Sequence, residues 1–321
     1  MKAVRVTRIG GPEVIEVQDI AVPSPGPDEV LVHVYAAGVA PWDAIIRVGR
    51  SEVSPQPPLT LGSDLAGVVE RVGDGVTGFR AGDSVYGVTN PQFVGAQAEF
   101  AVCKSNMITL KPGVLDDLEA GSAPVIAVTA WQMIFEYAQS KRGDTVLVVG
   151  AAGNVGAYAV QMAVSSGITV VAVARQKDED FLRKLGANVI AHSDGPDVVR
   201  ELPQVDAILD LVGGETLQRA VTALKQRGKL ISVVSQQSLP NRKDVDPMFF
   251  YADVTTARLR ALMRCLSGAH TKCSPARRMT EERLCCVSGG VERILAVDLL
   301  RGSSPLIRFA YQLGDLFPKY R

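Results

Sequence analysis

The sequence predicts an α/β chain in two parts, a compact β-rich unit followed by a parallel sheet covered by helices, and three observations predict it. The chain has 321 residues, enough for two domains of ordinary size with separate cores. Residues 1–110 are dense in Pro and Gly and carry short alternating apolar stretches, the pattern of short strands joined by tight turns. From residue 145 onward, continuous apolar runs alternate with helical patterns, as expected of strands buried on both faces and joined by right-handed crossovers.

Taken in order, Met1-Lys2-Ala3-Val4-Arg5-Val6 alternates as a strand and lacks the apolar core and cleavage site of a secretory signal, so a cytoplasmic protein is expected. Further strands are expected at 14–17, 30–34, 65–69, 84–87 and 98–102, separated by turns such as Ser24-Pro25-Gly26-Pro27 and Gly73-Asp74-Gly75. Residues 121–137 read as one largely buried helix bridging the two parts. Beyond it the pattern predicts strand 145–149, helix 154–165 stopped near Gly167, strand 168–174, and helix 178–185 ending at Gly186. Strands at 189–191 and 207–211, a helix at 216–224 and a strand at 229–234 complete the array. Apolar runs are interrupted well before the roughly 20 residues of a membrane span.

Lys plus Arg and Asp plus Glu each number 34, which argues against a surface tuned to nucleic acid. The balance is uneven along the chain. Residues 1–257 hold 22 basic and 29 acidic residues, net −7, whereas residues 258–321 hold 12 and 5, net +7. Cys103 is the one cysteine of the first part, and Cys265, Cys273, Cys285 and Cys286 fall in the last. An odd count without paired short spacings fits reduced thiols better than disulfides or a zinc cluster.

Gly150-Ala151-Ala152-Gly153-Asn154-Val155-Gly156 lies between the first strand and first helix of the array. Glycines three residues apart let the backbone turn sharply, approach a pyrophosphate and pack helix on strand, while the helix N-terminus offers N–H groups to the phosphates. An NAD site places an Asp or Glu roughly 20 residues further on; here stand Ala174, Arg175, Gln176 and Lys177. With no carboxylate to repel a 2′-phosphate and a guanidinium to pair with it, NADPH is the expected cofactor. The plain alternative is a solvated loop into which Asp178 could swing.

The segments Gly38-Val39-Ala40-Pro41-Trp42-Asp43, Leu61-Gly62-Ser63-Asp64-Leu65-Ala66-Gly67, Gly82-Asp83-Ser84-Val85-Tyr86-Gly87, Ala98-Glu99-Phe100, Val128-Thr129-Ala130-Trp131, Leu185-Gly186-Ala187 and Asp210-Leu211-Val212-Gly213-Gly214 follow one another in a recognisable order. With the glycine motif, they make the chain from Met1 to about Leu259 resemble the medium-chain dehydrogenase/reductase superfamily, in its zinc-free quinone oxidoreductase and enone reductase branch. The resemblance implies a GroES-like β-domain at 1–120, a doubly wound Rossmann domain binding NADPH at 121–257, and a cofactor in the cleft between them. It implies further that Thr129 lies near the nicotinamide ribose, Ala152, Gly153, Asn154 and Val155 at the pyrophosphate, Gly213 and Gly214 beneath the cofactor, and Val234 along its nicotinamide half. Phe249-Phe250-Tyr251 reads equally as a border of the nicotinamide and as ordinary aromatic core. Relatives dimerise along the edge of the Rossmann sheet, so the resemblance also implies a homodimer.

A catalytic zinc needs three ligands from Cys, His, Asp or Glu. Zinc-dependent relatives carry a Cys and a His where this chain has Ala40 and Ser63, and of the four-cysteine lobe only Cys103 remains. His33 sits in an alternating strand and reads as structural, His192 ends a strand, and His270 falls in the tail. No metal is therefore expected. Hydride transfer to a conjugated C=C bond or a quinone asks mainly for positioning and hydrogen-bond donors. Where relatives carry a Tyr or Lys, this chain has Ile45, flanked by Trp42 and Ile46, and Ala40 replaces a common Asn. No catalytic acid is assigned; Asp43 and Asp64 fit a turn or backbone-capping role better than the alternative of titratable groups in the cleft. The expected function is a zinc-free NADPH-dependent oxidoreductase acting on a small-molecule quinone or α,β-unsaturated carbonyl, without nucleic-acid or membrane partners; the alternative is a nucleotide-binding protein without turnover.

Residues 258–321 read as an atypical basic, cysteine-containing tail in place of the usual return to the β-domain, suggestive of a shifted reading frame or exon boundary. Neither a clean helix after Leu259 nor a closing strand is expected, only a short amphipathic helix at 291–301 and loop at 303–321. Loss of the closing strand would leave a sheet edge exposed.

Overall fold

The structure, a computed structural model, describes residues 1–193, 202–240 and 242–267, and the strand backbone of 308–311. His270, Cys273, Cys285, Cys286 and the helix expected at 291–301 lie outside the described residues. The chain divides into two compact units. The first takes Met1–Val125 with Val254–Arg260 and residues 308–311, and the second takes Ile126–Asp253 with the helix residues from Ala261.

The first unit opens with β1 (Lys2–Val6) and β2 (Ile15–Asp19), an antiparallel pair. After them come β3 (Glu29–Val39), α1 (Pro41–Arg47), β4 (Leu59–Thr60), β5 (Asp64–Val72), β6 (Ser84–Val88), β7 (Phe100–Lys104), β8 (Ile108–Leu110) and α2 (Asp117–Ser122). β4 adds to the free side of β1, and β3, β5, β6 and β8 form successive antiparallel neighbours. Alternation buries Val30, Val32, Val34, Leu65, Val85 and Ile108 in one core. His33 stacks on Phe100 at 4.8 Å and meets Tyr35 edge-on at 5.2 Å. At the start of α2, Asp116 accepts from the Glu119 N–H while Glu119 accepts from the Asp116 N–H, a reciprocal cap.

The single helix expected at 121–137 is instead three pieces: α2, α3 (Pro124–Trp131), and a wide helical turn over Gln132–Tyr137 in which the Ala138 N–H reaches Met133 O. Pro124 has no N–H to continue the ladder from α2. In the wide turn the buried Gln132 amide donates to Glu136 and accepts from the Asp253 N–H.

The second unit runs β9 (Thr145–Val149), α4 (Asn154–Ser165), β10 (Thr169–Ala174), α5 (Glu179–Lys184), β11 (Val189–His192), β12 (Val205–Asp210), α6 (Gly214–Ala220), β13 (Leu224–Ser232) and β14 (Pro247–Phe249). The strand order is β11-β10-β9-β12-β13-β14, and every neighbouring pair is parallel. Numbered within the sheet this is 3-2-1-4-5-6, the doubly wound dinucleotide-binding order. Leu147, Val149, Val171, Val173, Ile208 and Leu230 pack with Leu217 and Ala220 of α6, consistent with strands buried on both faces. The helix expected at 216–224 stops earlier, because Val221–Ala223 tightens into a 3-10 turn and Leu224 already begins β13.

The expectation for the tail needs correction in two places. α7 (Thr256–Ser267) is a regular helix, whose first turn is fixed by Thr256 donating to Ile108 O at 2.5 Å. β15 (Arg308–Tyr311), expected as loop, pairs in parallel with Ala36–Val39 of β3. Since β7 covers only Glu29–His33, β7 and β15 share one edge of β3 in succession. Local sequence could not show this, because pairing with a distant strand, not propensity, makes those four residues a strand.

Candidate functional site

Gly150 follows β9 directly with φ +85°, and a Cβ there would lie 2.7 Å from Val212 Cγ2. The Gly150 and Ala151 N–H groups both donate to Val173 O, at 3.0 and 3.1 Å, which ties the turn to the end of β10. Gly153 is the N-cap of α4, and no side chain caps the helix. A Cβ on Gly156 would stand 2.3 Å from Gly150 O and 2.7 Å from Ala151 Cα; only a residue without one lets the helix rest on the turn. The first N–H groups of α4, at Asn154 and Val155, have no intrahelical partner and form the positive end of the helix. Ala152, Gly153, Asn154 and Val155 are partly exposed, so this end can meet an anion. The residues therefore fit a dinucleotide pyrophosphate.

Beside this turn, Asp210 ends β12 fully buried. It accepts from Gly213 N–H at 2.7 Å, Val212 N–H at 3.2 Å and the Ser232 hydroxyl at 2.7 Å. Burial raises its pKa. Ser232 in turn accepts from Val234 N–H, so one carboxylate anchors the Gly213–Gly214 turn and, through a hydroxyl, the segment bearing Val234. Sequence reasoning placed the two glycines and Val234 but missed Asp210 and Ser232 as their anchors. The available signal was a polar residue closing each of two apolar strands. Thr129 is buried on α3 in the same unit.

Arg175 stands one residue beyond β10. Its Nε donates to Asp178 Oδ2 at 3.3 Å, while the Asp178 N–H donates to Arg175 O at 3.0 Å. Lys177 is exposed between them. Glu179 joins Arg183 and His192, and the Arg183 guanidinium, with His192 second, holds its carboxyl below the usual range.

In the first unit Asp43 and Asp64 are both buried. Asp43 accepts from Ala40 N–H at 2.8 Å, Gly62 N–H at 3.1 Å and Gln97 Nε2 at 3.3 Å. Burial, reinforced by the Asp64 charge, pushes its pKa to about 7. Asp64 accepts from the Ser63 hydroxyl at 2.5 Å and Val125 N–H at 2.8 Å, and burial pushes it to about 6. Trp42 Nε1 donates to Ser63 Oγ at 3.1 Å, so indole, hydroxyl and carboxyl form one chain of bonds. Both carboxyls cap backbone N–H groups, as the capping reading expects, and burial also raises both pKa values. Ile45 is 45% exposed while Ile46 is buried. Of the aromatic trio, Phe250 is buried against Tyr137 at 4.4 Å and Tyr251 is 70% exposed.

Among the described residues, no three His, Cys, Asp or Glu side chains are grouped so as to hold a metal, and no helix is long and apolar enough to cross a membrane.

Comparison with known proteins agrees with this geometry. Residues 26–113 match the alcohol dehydrogenase GroES-like domain, and residues 154–277 match the zinc-binding dehydrogenase family. The quinone oxidoreductase of Rattus norvegicus is 32% identical over 247 residues, covering 74% of this chain and 74% of the relative. The solved quinone oxidoreductase from Coxiella burnetii is 29% identical with a TM-score of 0.76, covering 83% of this chain and 87% of that one. A mycobacterial protein solved in complex with NADPH is 28% identical with a TM-score of 0.73, covering 85% of this chain and 90% of that one. With a GroES-like β-unit, a 3-2-1-4-5-6 sheet and relatives of this kind over three quarters of its length, the chain belongs to the medium-chain dehydrogenase/reductase superfamily of oxidoreductases, in its quinone oxidoreductase branch.

Proposed function

We propose that the chain is an NADPH-dependent reductase of quinones or α,β-unsaturated carbonyl compounds that works without zinc. The observation that carries this reading is the glycine turn after β9, where Gly156 lies against the turn backbone and presents the uncapped start of α4. Ala152, Gly153, Asn154, Val155 and Gly156 would hold the pyrophosphate, Arg175 and Lys177 the 2′-phosphate, and Thr129, Gly213, Gly214 and Val234 the nicotinamide half. When bound, the reduced nicotinamide supplies a hydride. The protein's part is to bind and orient: the backbone donors of α4 fix one end, and the Asp210 and Ser232 anchors hold the turns beneath the other.

Zinc-free operation is supported by the donor set. Ala40 has no ligand atom, and the Ser63 hydroxyl is engaged by Trp42 and Asp64. Reduction of an enone or quinone needs no Lewis acid to hold an alkoxide, and solvent supplies the proton without an assigned acid. The test is NADPH consumption by the purified chain over a panel of quinones and enones, with zinc measured by elemental analysis. Turnover with substoichiometric zinc is the expected result. Binding of NADPH without oxidation by any acceptor would leave a nucleotide-binding protein without turnover, and stoichiometric zinc would remove the zinc-free reading.

A further inference from the structure

We propose that Asp178 is a specificity-determining residue for the cofactor: its carboxylate occupies the Arg175 guanidinium that a 2′-phosphate would take, so that the phosphate binds by displacing it. The inference rests on the reading above, that a nicotinamide dinucleotide lies along β9 and β10. Asp178 stands at the N-cap position of α5, where an Asp ordinarily accepts from the helix's own first N–H groups. Its side chain makes no such cap. It turns back to Arg175 Nε at 3.3 Å, across a turn closed by Asp178 N–H to Arg175 O at 3.0 Å. The carboxylate is only 13% exposed against 35% for the guanidinium, so the pair is partly shielded from solvent.

A carboxylate and a phosphate compete for the same kind of guanidinium donors, and the phosphate carries more charge and more acceptor oxygens. Asp178 therefore sets a threshold. A ligand bearing a 2′-phosphate exchanges one anion for a stronger one, whereas a ligand with only a 2′-hydroxyl leaves the ion pair in place. Selectivity for NADPH over NADH is thereby smaller than Arg175 alone would give.

The experiment measures dissociation constants of NADPH and NADH, and of adenosine 2′,5′-bisphosphate against AMP, for the wild-type chain and for Asp178→Asn and Asp178→Ser. Because Asp178 caps nothing in α5, neither substitution removes a helix cap, and retained NADH binding reports that the site is folded. The expected result is that NADPH and the bisphosphate bind roughly three- to five-fold more tightly in both variants, with NADH and AMP unchanged, the size expected for loss of a partly exposed competing ion pair. The gain should vanish when Arg175→Ala is combined with either substitution. Unchanged or weaker NADPH binding would overturn the inference, as would an equal gain for NADH. Weaker NADH binding alone would instead make Asp178 a ribose ligand and overturn it too. If the wild-type chain binds neither dinucleotide, the cofactor reading itself fails, and this inference falls with it.

Discussion

In the first unit, Asp43 and Asp64 are buried among partners drawn from distant segments: Gln97 lies 54 residues from Asp43, and Val125 lies 61 from Asp64. In the second, Asp210 is equally buried, but its backbone donors are two and three residues away, and Ser232 ends the adjacent strand. The difference separates two uses of a buried acid. Asp210 braces a turn that a local motif already specifies. Asp43 and Asp64 join segments far apart in the sequence, and the charge of Asp64 helps to raise the pKa of Asp43.

The largest effect that could break this contrast is one of pH. Asp43 and Asp64 keep their protons to about 7 and about 6 in the folded chain, above the roughly 3.9 of an unfolded Asp. Between pH about 4 and those values the folded state binds more protons than the unfolded one, so stability falls as pH rises, at up to about 1.4 kcal/mol per pH unit for each titrating group. Denaturant unfolding from pH 4 to 8 should show this slope, and Asp43→Asn, which stays neutral, should flatten it. An unchanged slope would mean the acids do not titrate in that window. Gly156→Ala comes next: a Cβ forced to within 2.3 Å of Gly150 O should cost about 3 kcal/mol of stability in the second unit and abolish dinucleotide binding. Asp210→Ala leaves the Ser232 hydroxyl and two N–H groups without their acceptor, at a cost of about 2–3 kcal/mol, read by the same unfolding. Smallest is Arg175→Ala, which should weaken NADPH by about 2 kcal/mol in a binding titration and leave NADH nearly unchanged; equal loss for both would sever Arg175 from the 2′-phosphate.

The second unit was largely legible because its signals are contiguous. Strand Thr145–Val149 and helix Asn154–Ser165 fall where apolar run and glycine spacing put them, and the turn between them needs only the residues it contains. The site in the first unit was half legible: Ala40 and Ser63 could be noted, but not that Ser63 would bridge Trp42 to Asp64. The raised pKa of Asp43 depends on burial by side chains far along the chain, which no local pattern carries. The three-piece helix over 117–137 was missed because Pro124 was read inside a helix rather than as its first residue, and β15 because its pairing partner lies at the other end of the sequence.

That shared edge of β3 also bears on how the chain assembles during synthesis. Most of the second unit is one uninterrupted stretch, Ile126–Asp253, and can fold as soon as it has emerged. β3 acquires β5 and β7 early, but along Ala36–Val39 the edge away from β5 stays open until Arg308–Tyr311 has been made, a pairing of large sequence separation that forms slowly. Throughout that interval the nascent first unit presents one open strand edge, a template for pairing with another chain, so early completion of Arg308–Tyr311 favours the folded protein over aggregation.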